Sequence, residues 1–165
     1  MTIGIFYASK YGTTEKAVKG LEENLKSNGC SVEVFNIKKD KPVLNEKKTF
    51  DLTLVGGSIY MGKIQKEITN FSEKNEDILL NNKLGLFLCC ASEEDFESQL
   101  TNNFSEKIID HASSKGYFGY GYNLEKMNFI YKKIIKKVAN ISSSENSIRD
   151  ESIEVFAKNA MKLVN

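Results

Sequence analysis

Short apolar runs alternate with helical patterns along this chain. The run from Ile3 to Tyr7 predicts a first buried strand. Apolar residues at spacings of three and four then predict a helix over about residues 14–28, which Asn28-Gly29 would end. The polar and apolar side chains alternate from Ser31 to Asn36, as is typical of an outer strand with one less buried face.

The alternation continues through the middle of the chain. Leu52 to Gly57 predicts another buried strand, and Lys63 to Asn75 carries the spacing of an amphipathic helix. Leu84 to Cys90 predicts the next strand, which a polar connection joins to a helix reaching about Ser114. The charged segment from Lys38 to Lys48 contains a proline and predicts a surface loop with at most one helical turn.

The last third of the chain predicts one more strand and two helices. Gly116 to Tyr122 has the glycine and aromatic content of a buried strand. The two helices are predicted at Leu124 to Ala139 and at Asp150 to Val164, with the polar segment Ser142 to Ser147 as their linker. Five strands alternating with helices predict a single α/β domain over residues 1–165, with a doubly wound parallel sheet that binds ligands at its carboxyl edge.

Composition narrows the classes of function. The 165 residues are 41% hydrophobic and 27% charged, which suits one globular domain with a substantial core. The formal net charge of +1 lacks the basic excess typical of a nucleic-acid-binding protein. No apolar run approaches the length needed to span a bilayer, and the first residues have no signal-peptide pattern, so we expect a cytoplasmic protein.

The cysteines and the single histidine offer few routes to catalysis. Cys30, Cys89 and Cys90 lack zinc-type spacing and lie in apolar surroundings, so we expect reduced, buried thiols rather than a disulfide framework; a redox role for the Cys89-Cys90 pair is the alternative. We expect no metal site and no Ser-His or Cys-His catalytic scheme. His111 lies on a predicted helix, where a surface or packing role is expected.

The polar segment from Ser9 to Thr14 has the composition of a phosphate-binding loop. It joins the first strand to the first helix, where backbone N–H groups and the positive end of the helix dipole converge. Hydroxyl groups, a close backbone approach at Gly12 and the charge of Lys10 would add to this site. The alternative is a helix cap rich in serine and threonine, because the segment lacks both the GxxxxGK[ST] and the GxGxxG patterns.

This loop resembles the phosphate loop of the flavodoxin family. Ser9, Gly12 and Thr14 match the family pattern, while Tyr11 stands where many flavodoxins have a hydroxyl amino acid. Phe50-Asp51, the segment from Gly57 to Gly62, and Cys90-Ala91-Ser92 follow in the family's order, so that the resemblance covers nearly the whole chain. It implies a three-layer α/β/α flavodoxin-like fold with strand order 2-1-3-4-5 and FMN as the cofactor.

The resemblance also implies which residues contact FMN. They belong to three loops: Ser9, Lys10, Tyr11, Gly12, Thr13 and Thr14; Ser58, Ile59, Tyr60, Met61 and Gly62; and Cys89, Cys90, Ala91 and Ser92. Tyr60 and Met61 would pack beside the isoalloxazine ring, and the Met61-Gly62 backbone would lie near flavin N5, where glycine allows the peptide to flip. A simple surface turn is the alternative for this second loop. The flavin itself would carry the chemistry, without a catalytic side chain.

Two segments are similar to the flavodoxin branch that contains menaquinone-dependent protoporphyrinogen oxidase. They are Ser58 to Lys63 and the basic, aromatic-bearing stretch from Tyr122 to Val138. This similarity implies an oxidoreductase with a quinone-type or porphyrinogen-type substrate. The alternatives are an electron carrier that serves a redox partner protein and an interaction module that has lost FMN.

The predicted helix after Leu124 has one apolar and one basic face. Its basic face consists of Lys132, Lys133, Lys136 and Lys137. Such a face could approach an anionic membrane surface from the cytoplasmic side. A solvated helix face is the alternative.

Overall fold

A parallel sheet of five strands forms the centre of the protein. The computed structural model describes residues 1–45, 50–138 and 143–163. The parallel strands are β1 (Thr2–Tyr7), β2 (Ser31–Asn36), β3 (Leu52–Tyr60), β5 (Leu84–Cys89) and β6 (Ser114–Tyr117). They lie in the order β2-β1-β3-β5-β6, and the short strand β4 (Lys63–Ile64) pairs antiparallel with the end of β3. The predicted five-stranded parallel sheet and its order are therefore confirmed, with β2 at one edge.

Helices cover both faces of this sheet. On one face, α1 (Thr13–Ser27) and α8 (Asp150–Lys162) pack on a core that includes Ile5 and Leu54. The other face is covered by α3 (Lys66–Lys74), α4 (Glu76–Leu80), α5 (Phe96–Thr101) and α6 (Glu106–His111). Successive side chains of a strand point to opposite faces, so Ile5 joins the first core and Phe6 the second. The result is the predicted three-layer arrangement.

Two predicted helices differ from those observed. The helix predicted from Lys63 begins at Lys66, because Lys63 and Ile64 pair with the end of β3 instead. The helix predicted to reach Ser114 is divided into α5 and α6. The Ser105 hydroxyl accepts a hydrogen bond from Ile108 N at 3.4 Å and so caps a new helix rather than continuing the old one.

The predicted strand from Gly116 to Tyr122 is wrong as a single element. Its second half is β7 (Gly119–Tyr122), which leaves the parallel sheet and pairs antiparallel with β8 (Glu145–Ile148). Gly119 makes the bend: its φ is +79°, and a Cβ there would overlap the carbonyl oxygen of Ser147. The predicted linker from Ser142 to Ser147 therefore contains most of a strand. Between these strands lies α7 (Phe129–Val138), which starts later than the helix predicted from Leu124.

We call residues 119–138 and 143–148 the β7–β8 arm. The predicted helix end at Ala139, the linker start at Ser142 and the final helix end at Val164 lie outside the described residues. The described part of the predicted surface loop after β2 begins with one short helix, α2 (Ile37–Asp40), capped by the side chain of Asn36, and residues 41–45 are not helical. Within the described ranges, no helix has the length and apolar character required to cross a membrane.

Candidate functional site

A cavity of about 430 Å³ opens at the carboxyl ends of β1, β3 and β5. Its walls come from the loops after these strands, from α5 and from the β7–β8 arm. All predicted residues of the second and third loops line it, together with one from the first loop: Thr13, Ser58, Ile59, Tyr60, Met61, Gly62, Cys89, Cys90, Ala91 and Ser92. In a doubly wound sheet this edge is the usual place for a ligand.

The first loop leads into the amino terminus of α1 beside the cavity. Gly12 is the cap residue with a φ of +96°, and no side chain caps this end within the part of the chain that is described. The first intrahelical bond runs from Lys16 N to Gly12 O at 3.1 Å, so the N–H groups of Thr13, Thr14 and Glu15 precede it. Ser9 Oγ accepts from Gly12 N at 3.1 Å and fixes the loop. These N–H groups suit an anionic group.

A buried chain of hydrogen bonds joins the first loop to the second. Thr14 Oγ1 and Ser58 Oγ lie 2.8 Å apart, and both residues are buried. Gln65 completes the chain: its Nε2 donates to Ser58 Oγ at 2.8 Å, and its Oε1 accepts from Ser58 N at 2.9 Å. Sequence reasoning missed Gln65, because a single glutamine carries no spacing signal.

Tyr11 is the point at which the first loop departs from the flavodoxin pattern. Its side chain is buried, and its ring meets Tyr60 edge to face at 5.5 Å and Tyr131 at 6.5 Å. Its hydroxyl is buried without a hydrogen-bond partner. The ammonium group of Lys10 lies over the same rings, 4.2 Å from the centroid of Tyr131. Tyr11 therefore joins the first loop to α7 by aromatic packing.

The second loop is a tight hairpin between β3 and β4. Met61 and Gly62 occupy its two central positions with φ values of +51° and +75°, as a type I′ turn requires. The side chain of Asn103 holds the turn: its Nδ2 donates to Gly62 O at 3.2 Å, and its Oδ1 accepts from Ile64 N at 2.9 Å. The Met61 side chain is 78% exposed at the tip. This turn forms part of the cavity wall.

The third loop begins with two buried thiols. Burial raises the pKa of Cys89 to about 12 and that of Cys90 to about 11, so both thiols are protonated at neutral pH. Cys90 Sγ also donates to Ser92 O at 3.4 Å. A reactive cysteine needs a low pKa and access to solvent, and neither thiol has them. Burial likewise raises the pKa of the neighbouring Tyr60 to about 12.

The β7–β8 arm supplies walls of the cavity that sequence reasoning did not assign. These residues are Tyr120, Gly121, Tyr122, Tyr131, Ile134 and Ile135. Thr13 Oγ1 donates to Gly121 O at 2.9 Å and so joins the arm to α1. The alternation of glycine and tyrosine before Leu124 is the available signal, but it predicts a buried strand and not a cavity wall.

Two further polar groups near the site were also missed. Gln99 of α5 lines the cavity, and its Oε1 is buried without a hydrogen-bond partner. Lys126 of the arm places its Nζ 3.5 Å from the position that a Cβ on Gly12 would take, which puts a cation beside the amino terminus of α1. Both groups could bond to a polar ligand.

The described residues include neither a cluster of metal-ligating side chains nor a histidine at the cavity. Across residues 1–45, 50–138 and 143–163, no group of three or more His, Cys, Asp or Glu residues could hold a metal ion. His111 is away from the cavity, with its Nε2 2.8 Å from the carbonyl oxygen of Asn82. This hydrogen bond joins α6 to the turn before β5.

Comparison with known proteins gives a family for this arrangement. The sequence model of the family described as "Flavodoxin domain" matches residues 4–148, which include all three loops and the arm. No curated protein sequence matches the chain.

Solved structures with similar folds have low sequence identity to this chain. A flavodoxin from Streptococcus pneumoniae TIGR4 is 16% identical with a TM-score of 0.62, and the match covers 99% of both chains. A Fusobacterium nucleatum flavodoxin bound to flavin mononucleotide is 14% identical with a TM-score of 0.54 over 98% of both chains. The rubredoxin oxygen:oxidoreductase of Desulfovibrio gigas is 13% identical with a TM-score of 0.61; the match covers 99% of this chain but 36% of that enzyme. At these identities the likeness concerns the fold.

Proposed function

The chain belongs to the flavodoxin domain family, and from that membership we propose that it binds FMN and transfers electrons between redox partners. FMN can accept and release one or two electrons through its ring, so the protein has to bind, orient and shield it. The observation that carries the proposal is the cavity of about 430 Å³, which all three predicted loops line or adjoin.

The amino terminus of α1 fits the phosphate group of FMN. Its first N–H groups precede the intrahelical bonds, and Gly12 leaves room for a close approach. Lys126 brings a cation to within reach of the same point. In this assignment Ser9 and Thr14 hold the loop geometry, while the N–H groups of Thr13 and its neighbours bind the phosphate.

The cavity itself fits the flat ring. Its walls are largely aromatic or apolar, with Tyr60 and Tyr122 among them, and such surfaces favour burial of a planar heterocycle. The Met61-Gly62 turn and the loop from Cys90 to Ser92 supply backbone polar groups for its edges. The unpartnered Gln99 Oε1 offers a further acceptor once a ligand donor is present. The thiols of Cys89 and Cys90 serve as packing groups.

The proposal is tested first by measuring the affinity of the protein for FMN. Titration with FMN, followed by flavin fluorescence, should give saturable binding, and Thr14→Val should weaken it by about tenfold because the junction with Ser58 is lost. Thr53→Val is the matched control, since Thr53 is equally buried in β3 but at the amino end of the sheet. Absence of binding, or equal affinity of the two variants, would contradict the assignment.

A second candidate function is an oxidoreductase acting on a quinone-type or porphyrinogen-type substrate, similar to menaquinone-dependent protoporphyrinogen oxidase. It is favoured by α7, which lines the cavity through Tyr131 and exposes Phe129 by 78% and Ile130 by 69%. Reductive titration separates the two candidates: two resolved one-electron steps support an electron carrier, and a single two-electron step supports the oxidoreductase.

The basic face of α7 carries the proposal of peripheral membrane contact. Lys133, Lys136 and Lys137 are exposed, and Lys132 is partly exposed. Exposed aromatic and aliphatic side chains beside lysines are typical of helices that lie on anionic bilayers. Replacing the four lysines with glutamine should abolish sedimentation with anionic vesicles, and unchanged sedimentation would refute the contact.

A further inference from the structure

A second surface beside the cavity is strongly basic. Four exposed lysines line a groove of about 350 Å³: Lys10, Lys38, Lys63 and Lys66. We call it the lysine groove. Tyr60 lines both this groove and the cavity, so the two share a wall. A molecule seated in the groove therefore lies next to the proposed flavin site.

The positive charge of the lysine groove is poorly neutralised. One carboxylate lines it, that of Glu67, whose Oε1 is 3.8 Å from Lys38 Nζ. Among the described residues, no salt bridge involves Lys10, Lys63 or Lys66. The chain as a whole has a net charge of +1, so this excess is local and is compensated elsewhere. Such an asymmetric distribution orients an approaching charged molecule.

One of the four ammonium groups, that of Lys10, lies against aromatic rings. The Lys10 ammonium lies 4.2, 5.2 and 5.6 Å from the ring centroids of Tyr131, Tyr11 and Tyr60. These contacts hold a cation at the boundary between groove and cavity. The loop after β5 has the opposite sign: Arg149 pairs with Glu93 at 3.0 Å, which leaves the charges of Glu94 and Asp95. The cavity rim is thus basic on the β3 side and acidic on the β5 side.

An exposed apolar side chain accompanies the lysines. Met61, at the tip of the hairpin that carries Lys63, is 78% exposed. Exposed charges around a small apolar spot contribute mainly to the rate of encounter, and little to the lifetime of a complex. This combination suits a small, transient interface such as those formed during electron transfer.

We infer that the lysine groove is the docking face for a redox partner protein that presents a cluster of carboxylates. The inference rests on the proposed electron-transfer function and adds the charge of the partner and the side of its approach. The carboxylates would lie over Lys63 and Lys66, near Tyr60, away from the acidic loop after β5. A partner with a basic face would meet like charges in the groove.

Stopped-flow oxidation of the reduced, FMN-loaded protein tests the charge of the partner. The probes are plastocyanin, an acidic copper protein, and cytochrome c, a basic one. We expect the rate with plastocyanin to fall by about tenfold as salt screens the attraction, with no such fall for cytochrome c. A rate with plastocyanin that rises with salt, or that does not depend on it, would overturn the inference.

Charge reversal locates the docking face. Lys63→Glu with Lys66→Glu should slow oxidation by plastocyanin at low salt by about tenfold and remove most of its salt dependence. Lys83→Glu with Lys115→Glu changes the net charge equally at the amino end of the sheet, and should have less than about a twofold effect. Equal effects of the two pairs would refute the assignment of docking to the lysine groove.

The two proposals fail in different ways. Failure of the protein to bind FMN would contradict both the proposed function and the docking face. Normal FMN binding with salt-independent oxidation by plastocyanin would contradict the docking face alone.

Discussion

The central sheet and the β7–β8 arm differ in how deeply their residues are buried. Four of the parallel strands are buried almost throughout, and each packs between two layers of helices. In the arm, β7 is only partly buried, β8 has two exposed residues, and α7 keeps Phe129 and Ile130 exposed. The sheet is thus held by burial on both faces. The arm buries only a small apolar cluster, with Leu124 and Met127 packed beside Tyr11, and is otherwise held by a few specific contacts.

Those contacts connect the arm to the amino end of α1. Thr13 donates to the backbone of Gly121, and Tyr11 packs between Tyr60 and Tyr131. The cavity lies where the two regions meet, with the loops of the sheet on one side and Tyr122 of the arm on another. A deeply buried framework thus positions the site, and a less buried arm completes its walls.

The largest expected difference between the two regions comes from adding a single methyl group. In β3, a Cβ on Gly56 would overlap the carbonyl oxygen and ring of Phe87 on the neighbouring strand. Backbone cannot move aside there without breaking the sheet, so Gly56→Ala should cost about 3 kcal/mol or more of unfolding free energy. Urea denaturation followed by circular dichroism measures it.

Gly121→Ala is the matched change in the arm. Its Cβ would lie 2.9 Å from Thr13 Oγ1 and 3.0 Å from Thr13 Cγ2, so the Thr13 side chain has to shift at the expense of its hydrogen bond to Gly121 O, while the backbone stays in place. We expect a loss of roughly 1 kcal/mol or less. If both alanine variants lost the same stability, the sheet and the arm would be equally rigid, and the comparison would fail.

The sheet could be predicted from sequence because its signals are local and repeated. Continuous apolar runs such as Leu84 to Cys89 and the spacing of Val18, Leu21 and Leu25 in α1 both report burial directly. The arm could not be predicted in this way. Gly116 to Tyr122 has one continuous composition, and its division at Gly119 depends on pairing with Ser147, which lies far away along the chain.

The sequence predicts those parts of the site that lie at the ends of strands. The second and third loops lie at the carboxyl ends of β3 and β5, with Ser58, Ile59 and Tyr60 still in β3 and Cys89 still in β5, so their positions around one cavity follow from the topology. The orientation of Tyr11 towards α7 and the bonds from Gln65 to Ser58 depend on tertiary packing. No spacing rule connects such residues, and only the folded chain brings them together.

Alkaline pH tests the burial of the two thiols at the carboxyl end of β5. Burial raises the pKa of Cys89 to about 12 and of Cys90 to about 11, above the ordinary value of 9.0. The folded state therefore keeps protons that the unfolded chain releases, and the stabilisation, complete below pH 9, declines as pH rises towards the folded values.

Each thiol should contribute a loss of about 1.4 kcal/mol per pH unit within that window. Denaturation at several pH values, compared with the Cys89→Ala, Cys90→Ala variant, measures the contribution. The variant should lose stability less steeply above pH 9. Parallel curves would mean that the thiols are no less ionisable in the folded protein than in the unfolded chain.

The smallest expected effect concerns the contact between the first loop and the arm. The buried Tyr11 hydroxyl has no hydrogen-bond partner, so Tyr11→Phe should raise the unfolding free energy of the FMN-free protein by roughly 1 kcal/mol while keeping the ring contacts with Tyr60 and Tyr131. Tyr120→Phe is the control, because the Tyr120 hydroxyl donates to Glu145 Oε1 at 2.9 Å on the surface of the arm. That change should lower stability slightly.

A loss of stability in Tyr11→Phe would contradict this prediction. It would mean that the Tyr11 hydroxyl is hydrogen-bonded in solution, and that the junction between the first loop and the arm is polar as well as aromatic.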